Sequence, residues 1–126
     1  MKYIFFSLSL MLTSIFTLAQ NTNPFANQTF QINNYIDGKF DNEEDLIFST
    51  DQVEGSVCVQ YGFARTSYTA TQNADGKWTF SCTMLSPEHG KMVWEGTKEK
   101  DGISGRYLWT KTGQDPIHYT FKGKLK

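Results

Sequence analysis

From Phe30 onward the apolar positions recur every second residue, and no long segment shows helical spacing with a convincing cap. The last run is the clearest. Ile117, Tyr119, Phe121, Gly123 and Leu125 fall on one face, against His118, Thr120, Lys122 and Lys124 on the other. Residues 102–110 repeat the pattern, with Ile103, Gly105, Tyr107 and Trp109 on one side. Residues 91–98 do so with Met92, Trp94 and Gly96, and residues 77–84 with Trp78, Phe80, Cys82 and Met84. Weaker strands are predicted near 28–34, 45–49, 52–57 and 66–72, which makes about eight.

The segments between these runs carry turn chemistry. Asn73-Ala74-Asp75-Gly76, Lys100-Asp101-Gly102 and Thr112-Gly113-Gln114-Asp115-Pro116 each lie between alternating runs, and Ser86–Gly90 is a slightly longer loop. Short connectors make sequence neighbours antiparallel spatial neighbours. The expected fold is all-β: a single antiparallel up-and-down β-barrel of about eight strands, closed so that no sheet edge is left bare. Centring one hairpin on Lys100-Asp101 sets Trp94 opposite Tyr107, Gly96 opposite Gly105 and Met92 opposite Trp109, all inward, with Glu95 opposite Arg106 outside. Gly96, Gly105 and Gly123 share the inward parity, each two residues from an aromatic, as expected where strands bend to close a small barrel. The outer faces are polar, the reverse of a membrane barrel.

Ahead of this lies a different pattern. Met1-Lys2 is followed by an apolar and hydroxylic run that ends at Leu18-Ala19-Gln20. The run is short for a membrane span and has the form of a secretory signal cut near Ala19. The expected organisation is a signal peptide over 1–19, a flexible leader over 20–27 and a barrel over 28–126, the product being secreted or periplasmic with no membrane insertion after cleavage.

Composition narrows the function. With 12 Lys+Arg against 13 Asp+Glu, the chain lacks the basic excess of a nucleic-acid binder. The charge is uneven: residues 20–60 hold seven acids and only Lys39, whereas residues 91–126 hold eight bases and four acids. There is no nucleophile motif, no zinc-ligand spacing and no phosphate-cradling glycine loop, so neither a catalytic site, a metal nor a cofactor is expected. His89, beside Glu88 in a loop, and His118, on an outward face, read as surface residues. Cys58 and Cys82 are the only cysteines. In an oxidising compartment they predict a disulfide closing a loop of about 24 residues, against the alternative of two buried free thiols. The inward aromatics Trp78, Phe80, Trp94, Tyr107, Trp109, Tyr119 and Phe121 form either a filled core or the wall of a cavity for a small apolar molecule. A protein partner bound through loops or an outer face is the other expectation.

Leu46-Ile47-Phe48-Ser49, Cys58-Val59-Gln60-Tyr61-Gly62-Phe63, Gly90 to Thr97 and the closing Tyr119 to Leu125 resemble small secreted bacterial proteins with lipocalin-like, calycin-type barrels. That resemblance implies an interior ligand. Ser104-Gly105-Arg106-Tyr107 and Trp109-Thr110-Lys111 are similar to elements of periplasmic inhibitors of C-type lysozyme, which implies Ser104 and Lys111 as inhibitory contacts.

Overall fold

A computed structural model describes residues 22–126; the signal peptide expected over 1–19 lies outside the described residues. Eight strands, β1 (Thr29–Ile36), β2 (Lys39–Phe48), β3 (Gln52–Gly55), β4 (Thr66–Gln72), β5 (Trp78–Ser86), β6 (Gly90–Glu99), β7 (Gly102–Lys111) and β8 (Gln114–Leu125), close into one barrel in sequence order. Every pair is antiparallel, and β1 completes the circle against β8 through seven residue pairs from Phe30↔Leu125 to Ile36↔Tyr119. One short 3-10 turn, Cys58–Tyr61, lies between β3 and β4.

The predicted register of β6 and β7 holds: Met92, Trp94 and Gly96 face Trp109, Tyr107 and Gly105. Outside, Arg106 and Glu95 approach to 3.7 Å, a solvent-exposed pair worth at most about 1 kcal/mol. Alternation places Phe30 and Ile32 of β1, Leu46 and Phe48 of β2, and Phe80, Cys82 and Met84 of β5 in the core.

The start of the barrel departs from expectation. The strand predicted near 45–49 begins earlier, at Lys39, so that Asp41–Asp45 lies within β2. The hairpin that joins it to β1 turns at Asp37-Gly38, both at positive φ (51° and 75°), the two-residue arrangement that matches strand twist. The last connector is shorter than predicted. Thr112-Gly113 makes the turn, with Gly113 at φ 81°, and Pro116 lies within β8 beside a bulge. A bulge is where a strand accommodates a residue with no N–H to give.

Residues 22–28, expected as part of a flexible leader, form a turn that caps one end of the barrel instead. Phe25 is wholly buried, its ring 5.2 Å from that of Phe48 and 5.4 Å from that of Phe80. Asn23 locks the turn: its Oδ1 accepts from the Phe25 N–H at 2.9 Å and its Nδ2 donates to the Tyr68 hydroxyl at 2.7 Å. A single apolar residue among polar neighbours gives no periodic signal, which is why the sequence hides this cap.

Cys58 and Cys82 are not joined; both are buried free thiols. Cys82 stands in the barrel wall between Tyr68 and Trp94, whereas Cys58, on the 3-10 turn, directs its sulfur to Glu44 and to the Met92 sulfur 3.8 Å away. The predicted disulfide is therefore replaced by the alternative of two separate thiols. Burial pushes both upward, Cys82 to about 12, which keeps them out of the thiolate form that reacts.

Candidate functional site

The interior is filled unevenly. At the capped end Phe25, Phe48 and Phe80 pack as tilted and edge-on rings with centroids 5.1–5.4 Å apart. At the other end, where the β1–β2, β5–β6 and β7–β8 turns and the 3-10 turn meet, a cavity of about 350 Å³ opens to solvent. Its floor and walls come from Glu44 and Asn42 of β2, Met92 of β6, Tyr107 and Trp109 of β7 and Tyr119 of β8. Asp41, Val57, Cys58, Tyr61, Phe63 and His89 complete its rim.

Cross-strand register builds the aromatic wall. Trp94, Tyr107 and Tyr119 are successive inward partners on β6, β7 and β8. They stack in a row, with centroid spacings of 3.8 Å and 4.5 Å and interplanar angles of 18° and 8°. Trp94 is the buried end of this row, and Tyr107 and Tyr119 carry it to the cavity. Trp109 is fixed by its indole N–H, which donates to the His89 carbonyl at 2.6 Å. The 3-10 turn is pinned from below by Phe63, which is buried, and from the side by Ser86, whose hydroxyl donates to the Tyr61 carbonyl at 2.7 Å and accepts from the His89 N–H.

The polar side of the wall was not anticipated. Asn34, Asn42 and Glu44 all point inward and touch. Asn34 Nδ2 donates to Asn42 Oδ1 at 2.9 Å and to Glu44 Oε2 at 3.2 Å, and the Cys58 thiol donates to Glu44 Oε1 at 3.4 Å. Gly55 makes room for the carboxyl: a Cβ there would lie 2.2 Å from Glu44 Oε1. Among the described residues, Asn34 Oδ1 and Trp94 Nε1 are buried polar atoms with no hydrogen-bond partner. A signal for this cluster exists in the sequence. Counting back by twos from Phe48 and Leu46 reaches Glu44 and Asn42, and counting forward from Phe30 and Ile32 reaches Asn34.

Burial dominates the electrostatics of Glu44. Loss of water outweighs the hydrogen bonds from Cys58 and Asn34, and the carboxyl is pushed up to about 7. The phenols of Tyr107 and Tyr119 are raised by burial and by the nearby carboxylates. Glu44 therefore exchanges its proton near neutrality while its neighbours Cys58, Tyr107 and Tyr119 stay neutral. The unfolded chain ionises this carboxyl near 4.5, so between pH 4.5 and 7 the folded state keeps a proton that the unfolded state has lost. Stability from this group is complete below about pH 4.5 and is lost as pH rises through 7, by roughly 3 kcal/mol. Urea unfolding of wild type and Glu44→Gln from pH 5 to pH 8 measures it. The variant gains on the wild type as pH rises, and comparing the two removes contributions from His89 and the surface carboxylates. A constant difference across that range would show that Glu44 ionises normally.

Of the seven inward aromatics, Tyr107, Trp109 and Tyr119 line the cavity. Phe80, Trp94 and Phe121 are buried behind it, and Trp78 is half-buried against the core at the capped end. Ser104 is exposed on the outer face of β7, and Lys111 is the last residue of that strand, so the structure does not bring them together. Seven residues of strand separate them by about 23 Å. His118 is exposed outside, as expected, whereas His89 lies on the cavity rim with its ring edge-on to Tyr61 at 5.7 Å. The described residues contain no group of three or more His, Cys, Asp or Glu able to hold a metal ion.

Compared with protein-family models, curated proteins and solved structures, the chain matches none.

Proposed function

We propose that this protein is an exported, non-catalytic binder that holds one small, largely apolar ligand in the open end of its barrel. The observation that carries this reading is the asymmetry of the interior. One end is plugged with phenylalanine rings, while the other keeps about 350 Å³ of space between a stacked tyrosine pair, Trp109 and Met92. Sites for small molecules are concave and mainly apolar, with a few fixed polar groups, and this cavity falls at the low end of their size range. A barrel built for stability alone would be filled at this end as well, since unfilled interior space forfeits packing contacts. The chemistry of catalysis has little support here: Cys58 is held as a thiol, and no base faces it other than the carboxyl that accepts its own proton.

A protein partner seated on the same rim is the second reading. It is favoured by the exposed side chains of Phe40, Val59, Tyr61 and Leu85 around the turns of the open end.

The test uses protein recovered from the periplasm of an expressing host, with an intact mass that starts near Gln20. Titration with the neutral probe N-phenyl-1-naphthylamine is expected to change tryptophan emission saturably, at one probe per chain. Val57→Trp, which places an indole in the rim, weakens that binding at least tenfold. A mass that retains residues 1–19 overturns export. A non-saturable response, or one that Val57→Trp leaves unaltered, overturns the mouth as the site.

A further inference from the structure

We propose that the open-end cavity selects organic ammonium ligands: one positive charge carried on a compact aromatic or apolar body. This rests on the reading of the cavity as a ligand site and adds the class of ligand. Two carboxyl groups, Asp41 and Glu44, line the cavity, and no Lys or Arg is among its lining residues. His89 is the one basic side chain in the lining, and its Nε2 lies 4.0 Å from the Glu88 carboxylate.

Three donors at or beside the cavity are already committed. The Trp109 N–H is taken by the His89 carbonyl, both protons of Asn34 Nδ2 by Asn42 and Glu44, and the Cys58 thiol by Glu44. An anionic ligand would meet two like charges and no lining Lys or Arg to offset them. A neutral ligand would leave Glu44 to be desolvated further with nothing in return. A cation satisfies both acids and meets the π systems of Tyr119 and Trp109, which attract positive charge in contacts that strengthen as water is excluded. Tyr107, itself sandwiched between Trp94 and Tyr119, holds the Tyr119 ring in a fixed orientation before any ligand arrives. Glu44 itself is fixed by Asn34 and Cys58, so its charge is positioned in advance.

The cavity volume suits a ligand of one ring and a short charged group. Phenyltrimethylammonium and tert-butylbenzene have the same shape and differ by one charge, so they separate this inference from the reading beneath it. Calorimetric and fluorescence titrations at pH 8, where Glu44 is ionised, are expected to show the ammonium binding at least tenfold more tightly than the hydrocarbon, with no binding of benzoate. Glu44→Gln lowers the ammonium-to-hydrocarbon ratio by about tenfold, and Asp41→Asn, an exposed rim change that does not touch the core, lowers it severalfold. Equal affinity for the two isosteres would overturn the charge selection and leave the cavity standing as an apolar site. Binding of neither, or a ratio that both variants leave unchanged, overturns the proposal outright.

Discussion

Replacing Gly123 with alanine is expected to cost about 4 kcal/mol, a loss in the range that single substitutions seldom reach. Gly123 is paired with Ile32 of β1 and Ile103 of β7, at the seam where the last strand meets the first. A Cβ added there would lie 1.9 Å from the Gln31 carbonyl oxygen and 2.7 Å from the Ile32 Cα. Those atoms belong to backbone that is itself hydrogen-bonded in the seam, so they cannot turn aside as a side chain can. The strands must separate, and the ladder that closes the barrel opens with them. Against the 5–15 kcal/mol that typically holds a domain, this is a large fraction, and the melting temperature should fall by more than about 15 °C.

Two other glycines set the scale. At Gly96 the obstacles are the Phe80 and Phe121 rings at 2.6 and 2.7 Å, which can shift, so alanine there should cost less than at Gly123. At Gly76 nothing lies within 4 Å, and the cost is that of a side chain at φ 85°, about 1 kcal/mol. Equilibrium unfolding in urea ranks the three. A loss at Gly123 no greater than at Gly76 would show that the seam relaxes freely and that its glycine is incidental.

The same positions show how far the pattern of residues could be read. Gly96, Gly105 and Gly123 were all expected beside aromatic rings, and Phe121 does reach the first two, with Phe80 beside Gly96. At Gly105 the Glu95 carbonyl oxygen is closer still than the ring, and at Gly123 only backbone is near, a distinction that needs the third dimension. Register between β6 and β7 was legible because both faces vote for it: apolar with apolar inside, Glu95 with Arg106 outside. β1 and β2 were less legible because the inward face turns polar halfway along, at Asn34, Asn42 and Glu44. Alternation in that stretch carries no hydrophobic contrast, so the predicted strand starts only near 45, although Asp37-Gly38 marks the hairpin. The break in the pattern coincides with the cavity. Local rules tend to fail where a fold gives up core packing for a site, and polar residues at core parity were the clue. The cysteines illustrate a different limit. Compartment chemistry argued for pairing them, but only placement shows that Cys58 turns to Glu44.

Phe25→Ala is the second large effect, expected to destabilise the barrel by about 3–4 kcal/mol. The ring is completely buried and meets Phe48 and Phe80 face-tilted and edge-on, with Tyr68 at 6.4 Å. Removing it leaves a ring-sized void at the capped end, and it also frees the turn that Asn23 ties to Tyr68. A segment that merely trails from the barrel would lose less than about 0.5 kcal/mol on the same change, the usual range for surface positions. Urea unfolding therefore separates a plug from a tail by a wide margin. The binding site supplies an independent check on the division of labour between the two ends. Phe80, Phe121 and Trp94 stand between Phe25 and the cavity as an unbroken buried layer. Under conditions where Phe25→Ala remains folded, its affinity for phenyltrimethylammonium should stay within about twofold of the wild type, because distant sites with no shared partner act additively. A tenfold loss of affinity would mean that the layer transmits the void, and that the capped end shapes the cavity as well as holding the barrel shut.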